Sequence, residues 1–185
     1  CYNQSFHSQA PFTKFTQHRP SNTPQLENKA YVCILMADYD SATPLYEFLP
    51  NHWADAGRGK LSFAWGINPN LMETYPDIIG HFYKTATEND YFTADASAAG
   101  YFNPNRIDPK FLPLMSKHNK RFFDLTDMSI APMVLDWGEP TEAVKNAFMQ
   151  FAPDGYATIV DDMHKTGGKL PKPHVWKGMP VTELI

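Results

Sequence analysis

A chain of 185 residues, 43% hydrophobic and 19% charged, has the length and composition of one globular domain with a sizeable core. Its formal charge of −4 and pI near 5.9 argue against a nucleic-acid partner, which selects for a basic face. The apolar run Tyr31 to Ala37 is far too short to cross a bilayer, so no membrane span is expected.

From Cys1 to Lys29 the sequence is polar, broken by Pro11, Pro20 and Pro24, and reads as an irregular segment ahead of a domain over 30–185. No signal-peptide pattern or initiator Met opens it, so a processed product or a piece of a longer chain is expected, the missing part being a candidate partner. Cys1 fits either the lipidated first residue of a bacterial lipoprotein or an artificial boundary. A secreted or cell-envelope location follows from the first reading, and a cytoplasmic one stays open. Two cysteines make no disulfide framework, and Cys33 reads as a small core residue in an apolar strand.

The run AYVCILMADYD predicts a first strand buried on both faces and ending in acids. After it, Leu45, Phe48, Leu49 and Trp53 fall near helical spacing, with Pro44 suited to a first turn and Pro50 expected to kink or end the helix. Leu61 to Ile67 predicts a second strand, Asp77 to Thr87 a helix, and YFTAD a third strand. Asp108 to His118 predicts a helix and Arg121 to Leu125 a fourth strand, while Pro132 leaves MSIAPMVLDWGEP ambiguous. Thr141 to Phe151 predicts a helix, GYATIVDD a fifth strand, and PHVWKGMPV a sixth. Strands alternating with helices of this length imply βαβ units on a parallel sheet. Five or six units fall short of a closed eightfold barrel, so the expected fold is α/β, parallel-stranded and barrel-like (TIM-like, incomplete). No GxGxxG or GxxxxGK[ST] follows any strand, and no cofactor is expected.

The acids carry the functional signal. Predicted strand one ends in Asp38 and Asp40, strand three in Asp95, strand four in Asp127 and strand five in Asp161 and Asp162. Strand two ends instead with Trp65 and Asn68. C-terminal strand ends form the ligand face of parallel α/β folds. Each Asp could instead cap the helix that follows it. Asp38 and Asp40, at i and i+2, would share a face in an extended segment, and only one could cap a helix near Ser41. Two carboxyl groups flanking a bond are the minimum equipment for glycoside hydrolysis: one donates a proton, the other acts as nucleophile or base. Asp38, Asp40 and Asp95 are the catalytic candidates, with Asp127, Asp136 and Asp161 behind them. Trp65, Trp137 and Trp176 are candidate sugar-groove residues, with core packing the alternative use.

The stretch DASAAGYFNP, Asp95 to Pro104, resembles the signature of the GxGYxYP putative glycoside hydrolase family. Gly100, Tyr101 and Pro104 match in place; Ala98 stands where the signature has its first glycine and Asn103 where it has its second tyrosine. The segments MADYDS, FAWGINPN and WKGMPV extend the likeness from about Ala30 onward. The resemblance implies a carbohydrate substrate, with Gly100, Tyr101, Asn103 and Pro104 joining Trp65 and Asn68 as binding candidates. Gly100 permits backbone angles that a Cβ disfavours, and Tyr101 and Phe102 offer flat faces for a sugar ring. The alternative for this loop is a turn whose aromatics pack on the next helix.

Two other readings stay open: a non-catalytic carbohydrate-binding domain, and a metal-dependent polysaccharide deacetylase. The seven histidines include no HxxxH or HExxH spacing, which counts against the deacetylase, and no metal ligands are assigned. No GxSxG elbow or Cys–His arrangement is present. The short basic cluster at His118 to Arg121 reads as a solvated helix end.

Overall fold

The structure, a computed structural model, describes residues 3–11, 13–19, 25, 27–136, 138–159 and 172–184. A short helix α1 (Gln4–His7) precedes β1 (Leu35–Tyr39), α2 (Ala42–Glu47) and α3 (Leu49–Trp53). The break at Phe48 falls two residues before Pro50, which has no N–H to continue the helical ladder. β2 (Phe63–Ile67) leads through a 3-10 turn at Pro69–Glu73 into α4 (Pro76–Thr85), which opens on a proline at its first position. β3 (Asp90–Ala94), α5 (Leu112–Thr126), β4 (Ile130–Val134), α6 (Glu142–Phe148) and β5 (Gly155–Ile159) continue the alternation. A hairpin of β6 (His174–Trp176) and β7 (Met179–Leu184) ends it.

The predicted incomplete barrel is not what forms. The strands make two small sheets, β1-β2-β3 and β4-β5-β7-β6, and neither closes on itself. Every pairing is parallel except β6 with β7, so the predicted sixth strand is a hairpin and not another βα unit. A side chain explains the seam. Gln17 accepts from the Phe92 amide on β3 at 2.6 Å and donates its Nε2 to the Phe92 carbonyl at 2.9 Å. It thereby takes the ladder position a neighbouring strand would occupy. The same Nε2 reaches the Asp127 carbonyl at 2.9 Å, while the Gln17 amide donates to the Asp127 carboxylate at 2.9 Å. Beyond the other end of β3 the sheets are bonded to each other, where the Ser97 amide donates to the Met133 carbonyl at 2.9 Å and Ser97 Oγ accepts from the Leu135 amide at 2.9 Å.

Two predicted elements move. Arg121 to Leu125 is the last part of α5 and not a strand. The buried positions Leu112, Ser116, Asn119, Phe122, Phe123 and Thr126 keep a helical period straight through it. The cluster read as a solvated helix end therefore buries Asn119, while Lys120 pairs with Asp124 one turn on. The fourth strand is the Pro132 segment, with a register irregularity between Ala131 and Val134. The first strand begins only at Leu35, and Tyr31 to Ile34 are exposed, Cys33 among them, so Cys33 is not a core residue.

Helices cover one face of each sheet. Tyr39, Trp53, Trp65, Phe82 and Phe92 make the aromatic core against the first sheet, with Trp53 and Trp65 ring centroids 5.1 Å apart. Phe123, Phe148, Phe151 and Tyr156 do the same for the second. Each such ring removed from water contributes about 1.5–3 kcal/mol. Asp90 at the start of β3 is buried and paired with Arg58. Burial opposes its charge, but hydrogen bonds from Thr87 and Trp65 and the guanidinium hold its carboxyl below the usual range.

Candidate active site

The acid rim is built around an irregularity in β1. Met36 pairs with Trp65 and Tyr39 with Ile67, so β1 carries one residue more than β2 between the same two rungs. That bulge holds Asp38 at φ 71 in the left-handed region. Asp38 and Asp40 therefore do not share a face by simple alternation. The bulge turns Tyr39 into the core, leaving Asp38 exposed and Asp40 half-buried. Neither caps α2, whose N-cap is Ser41 with no side-chain bond.

Asp95 fixes this geometry. It follows β3, yet its Oδ2 accepts the Tyr39 amide at 2.8 Å, on the far side of β2. The carboxyl crosses over Gly66, where a Cβ would sit 3.3 Å from Asp95 Cγ and 3.5 Å from the Met36 carbonyl. Its other oxygen accepts the Ala96 amide at 2.8 Å. The residue is 1% exposed. Burial pushes its carboxyl up to about 7, the charges of Asp40 and Asp38 add to the rise, and the two amides oppose it. Asp40 is raised as well, by burial and by Asp38, against a bond from its own amide. The Tyr39 phenol is pushed up to about 12 by burial and by Asp95 and Asp38, and its oxygen lies 2.7 Å from His52 Nδ1. The three catalytic candidates are thus one electrostatic group. Asp38 and Asp40 are the members that reach solvent.

The signature loop is a rigid extension of the same corner. Ser97 and Ala98 take φ 58 and 75 and Gly100 takes φ 130, so three of four consecutive residues lie in the region that favours glycine. Ala98 stands at the signature's first glycine, and its backbone shows why glycine suits the place. The loop's main chain is satisfied from outside: the Ala99 amide donates to buried Asn119 Oδ1 at 2.7 Å, and Asn105 N donates to Asp136 Oδ1 at 2.8 Å. Asn105 also accepts from the Thr141 amide at 3.0 Å. Tyr101 projects from this scaffold 72% exposed. Phe102 packs on the core and Pro104 is buried at the start of a 3-10 turn. Asn103 is half-buried, its Oδ1 without a partner among the described residues.

The other candidates disperse. Trp65 is 3% exposed and donates its indole N–H to Asp90 at 2.9 Å, a core role. Asn68 is buried and caps the following 3-10 turn by accepting from Asn70 N. Asp127 is not at a strand end: it is the left-handed C-cap of α5, bonded to Gln17 and Arg19 at the opposite end of the sheet. Asp136 does follow β4, where burial raises its carboxyl despite bonds from the Tyr156 hydroxyl and the Asn105 amide. Trp176 packs under the Lys145 ammonium, 4.3 Å from its ring centroid, in the contact between hairpin and α6. Trp137, Asp161 and Asp162 lie outside the described residues. Among the described residues no group of three or more His, Cys, Asp or Glu is placed to hold a metal ion. Nor is any helix there long and apolar enough to cross a membrane.

Gly66, Ser97, Asn105 and Asn119 are the residues the sequence reading overlooked. Only Gly66 left a signal, as a lone glycine inside an apolar strand, a pattern that marks close approach of another group.

A crystal structure of a putative hydrolase from Bacteroides thetaiotaomicron VPI-5482 is similar, with a TM-score of 0.65 at 21% identity, covering 85% of this chain. At that identity the likeness is one of fold, and the chain spans 30% of that protein's length. No curated protein matches the chain. The GxGYxYP putative glycoside hydrolase C-terminal domain matches residues 28–184, a span holding the acid rim, the positive-φ loop and the hairpin, and the chain belongs to that family.

Proposed function

We propose that the rim at the C-terminal ends of β1 and β3 hydrolyses glycosidic bonds, with Asp38 and Asp40 as the reacting carboxyl groups. The observation that carries this reading is the pairing of an exposed Asp38 with a half-buried Asp40 whose proton is held more tightly, in part by Asp38 itself. A raised carboxyl beside a second, solvent-facing one can divide the labour of acid and nucleophile or base. In this scheme Asp40 donates to the leaving oxygen and Asp38 attacks the anomeric carbon or activates water. Asp95, with both oxygens taken by amides, positions the bulge that presents Asp38. Tyr101 supplies a stacking face for a sugar ring, on a loop whose backbone is already ordered before the sugar arrives. Gly100, Asn103 and Pro104 shape that loop.

The test is turnover of a broad glycan panel by the natural full-length polypeptide, its Asp38→Asn and its Asp40→Asn variants. Each substitution is expected to lower kcat by about 10²–10⁴ while binding changes little. Native turnover in both variants would remove the assignment. A second reading, a non-catalytic carbohydrate-binding domain, is favoured by the complete engagement of Asp95 with amides beside an exposed Tyr101. Tyr101-dependent binding without turnover on any glycan would select it.

A further inference from the structure

β1 is the edge of the first sheet: β2 pairs with one side of it, and no described strand pairs with the other. The Ala64 amide donates to the Ile34 carbonyl at 2.9 Å, so Ile34 and, two residues on, Met36 turn their backbone groups toward β2. Leu35 and Ala37 turn theirs the other way, and a free edge of this kind is a template for one more strand. Protein edges are ordinarily guarded by charge, proline or a bulge. From Tyr31 to Ala37 this edge holds no charged residue, proline or glycine, and its bulge comes only beyond Met36. Apolar side chains stand around it in the open: Val32 is 83% exposed, and Tyr31, Ile34 and Leu61 are exposed as well. The described part of the segment ahead of β1 does not cover it, since Gln17 is bound to β3 and Arg19 to Asp127.

We propose that the free edge of β1 docks a strand supplied by the N-terminal part of a longer polypeptide of this family. Backbone groups facing out from a strand are satisfied by another extended backbone, and that sets the class of partner. The chain spans 30% of the similar hydrolase's length, and the matching family model is that of a C-terminal domain, which has sequence ahead of it. β1 is the first strand of the matched span, and consecutive elements usually lie side by side, so a strand from ahead of the span falls next to β1. Weak contact is enough for such a strand, because its tether keeps it at high local concentration. A second copy fits less well: it would bring together two chains of charge −4, with Asp38 and Asp40 at the end of both edges. The proposal does not depend on the glycosidase reading.

Cys33, exposed in the run ahead of β1, is the reporter. In the natural full-length polypeptide its alkylation by iodoacetamide is expected to be at least about tenfold slower than in the 185-residue chain. The Leu35 and Ala37 amides are expected to exchange hydrogen more slowly by a similar factor. Val32→Lys, at a position that faces solvent, is expected to leave the melting temperature of the 185-residue chain unchanged and to speed Cys33 alkylation several-fold in the full-length protein. Equal alkylation of Cys33 in the two polypeptides would overturn the proposal. So would free exchange at Leu35 and Ala37 beside a protected Cys33, which would mean cover by side chains alone. Protection that grows with protein concentration would overturn it too, in favour of a second copy.

Discussion

Asp95 offers the sharpest physical test, because its proton is coupled to folding. The unfolded chain releases that proton at the ordinary 3.8, while the folded protein holds it to about 7. A group raised in the fold contributes stability that is complete below its unfolded value and gone above its folded value. Stability must therefore fall as pH climbs from about 4 to about 7. Three pH decades at roughly 1.4 kcal/mol each make the loss about 4 kcal/mol. Asp40 and Asp136, also raised, add to it with the same sign. Asp95→Asn isolates the one contribution. The amide nitrogen cannot accept, so either the Tyr39 or the Ala96 N–H loses its partner, costing about 1–3 kcal/mol at every pH. At about pH 3, below the unfolded value, the variant should be the less stable protein by that amount. At about pH 8.5, where the native carboxylate is charged and buried, the order should reverse by roughly 1–3 kcal/mol. Urea unfolding followed by tryptophan fluorescence at a series of pH values reads both differences. Parallel stability curves for the two proteins would refute the reasoning, since they would mean that the buried carboxyl binds its proton alike in both states.

Three further outcomes follow from particular contacts. Gly66→Ala puts a methyl 3.3 Å from Asp95 Cγ and should displace the carboxyl from the Tyr39 amide, costing about 1–3 kcal/mol and flattening the pH dependence just described; an unchanged pH profile would count against the crossing of Asp95 over β2. Ala98 sits at φ 75 and is fully buried, so Ala98→Gly trades relief of backbone strain for a lost methyl and should stay within about 1 kcal/mol of native, whereas the β-branched Ala98→Val should lose about 3 kcal/mol or more in thermal unfolding. Arg58→Met strands Asp90 as a buried charge and should cost about 3–5 kcal/mol, read by denaturant midpoint, with Arg58→Lys recovering only part of it because the guanidinium also donates to the Trp53 carbonyl.

The elements legible in the sequence were those whose evidence is local. Trp65 and Ile67 alternate, Pro76 opens a helix, and Thr141 caps one by accepting from Val144 N, each within a few residues of chain. The positions of Asp38, Asp40 and Asp95 near strand ends came from the same kind of reading, as did the aromatic loop after β3. Local pattern also misled: Phe122 and Phe123 side by side look like strand, and only their continuity with Leu112, Ser116 and Asn119 on one buried face makes them helix.

What no local pattern contained is the set of partners that distant residues supply. Gln17 lies 75 residues from Phe92 in the chain, and its carboxamide takes the strand edge that would have joined the two sheets. Asp95 reaches across Gly66 to an amide 56 residues away, and that bond sets an exposed Asp38 and a half-buried Asp40 beside a buried carboxyl. Hydrophobic period and turn chemistry, encoded over a few neighbouring residues, determined which segments would be strands and helices. Which strand edge found a partner, and which carboxyl kept its proton, depended on groups brought near only by the finished packing.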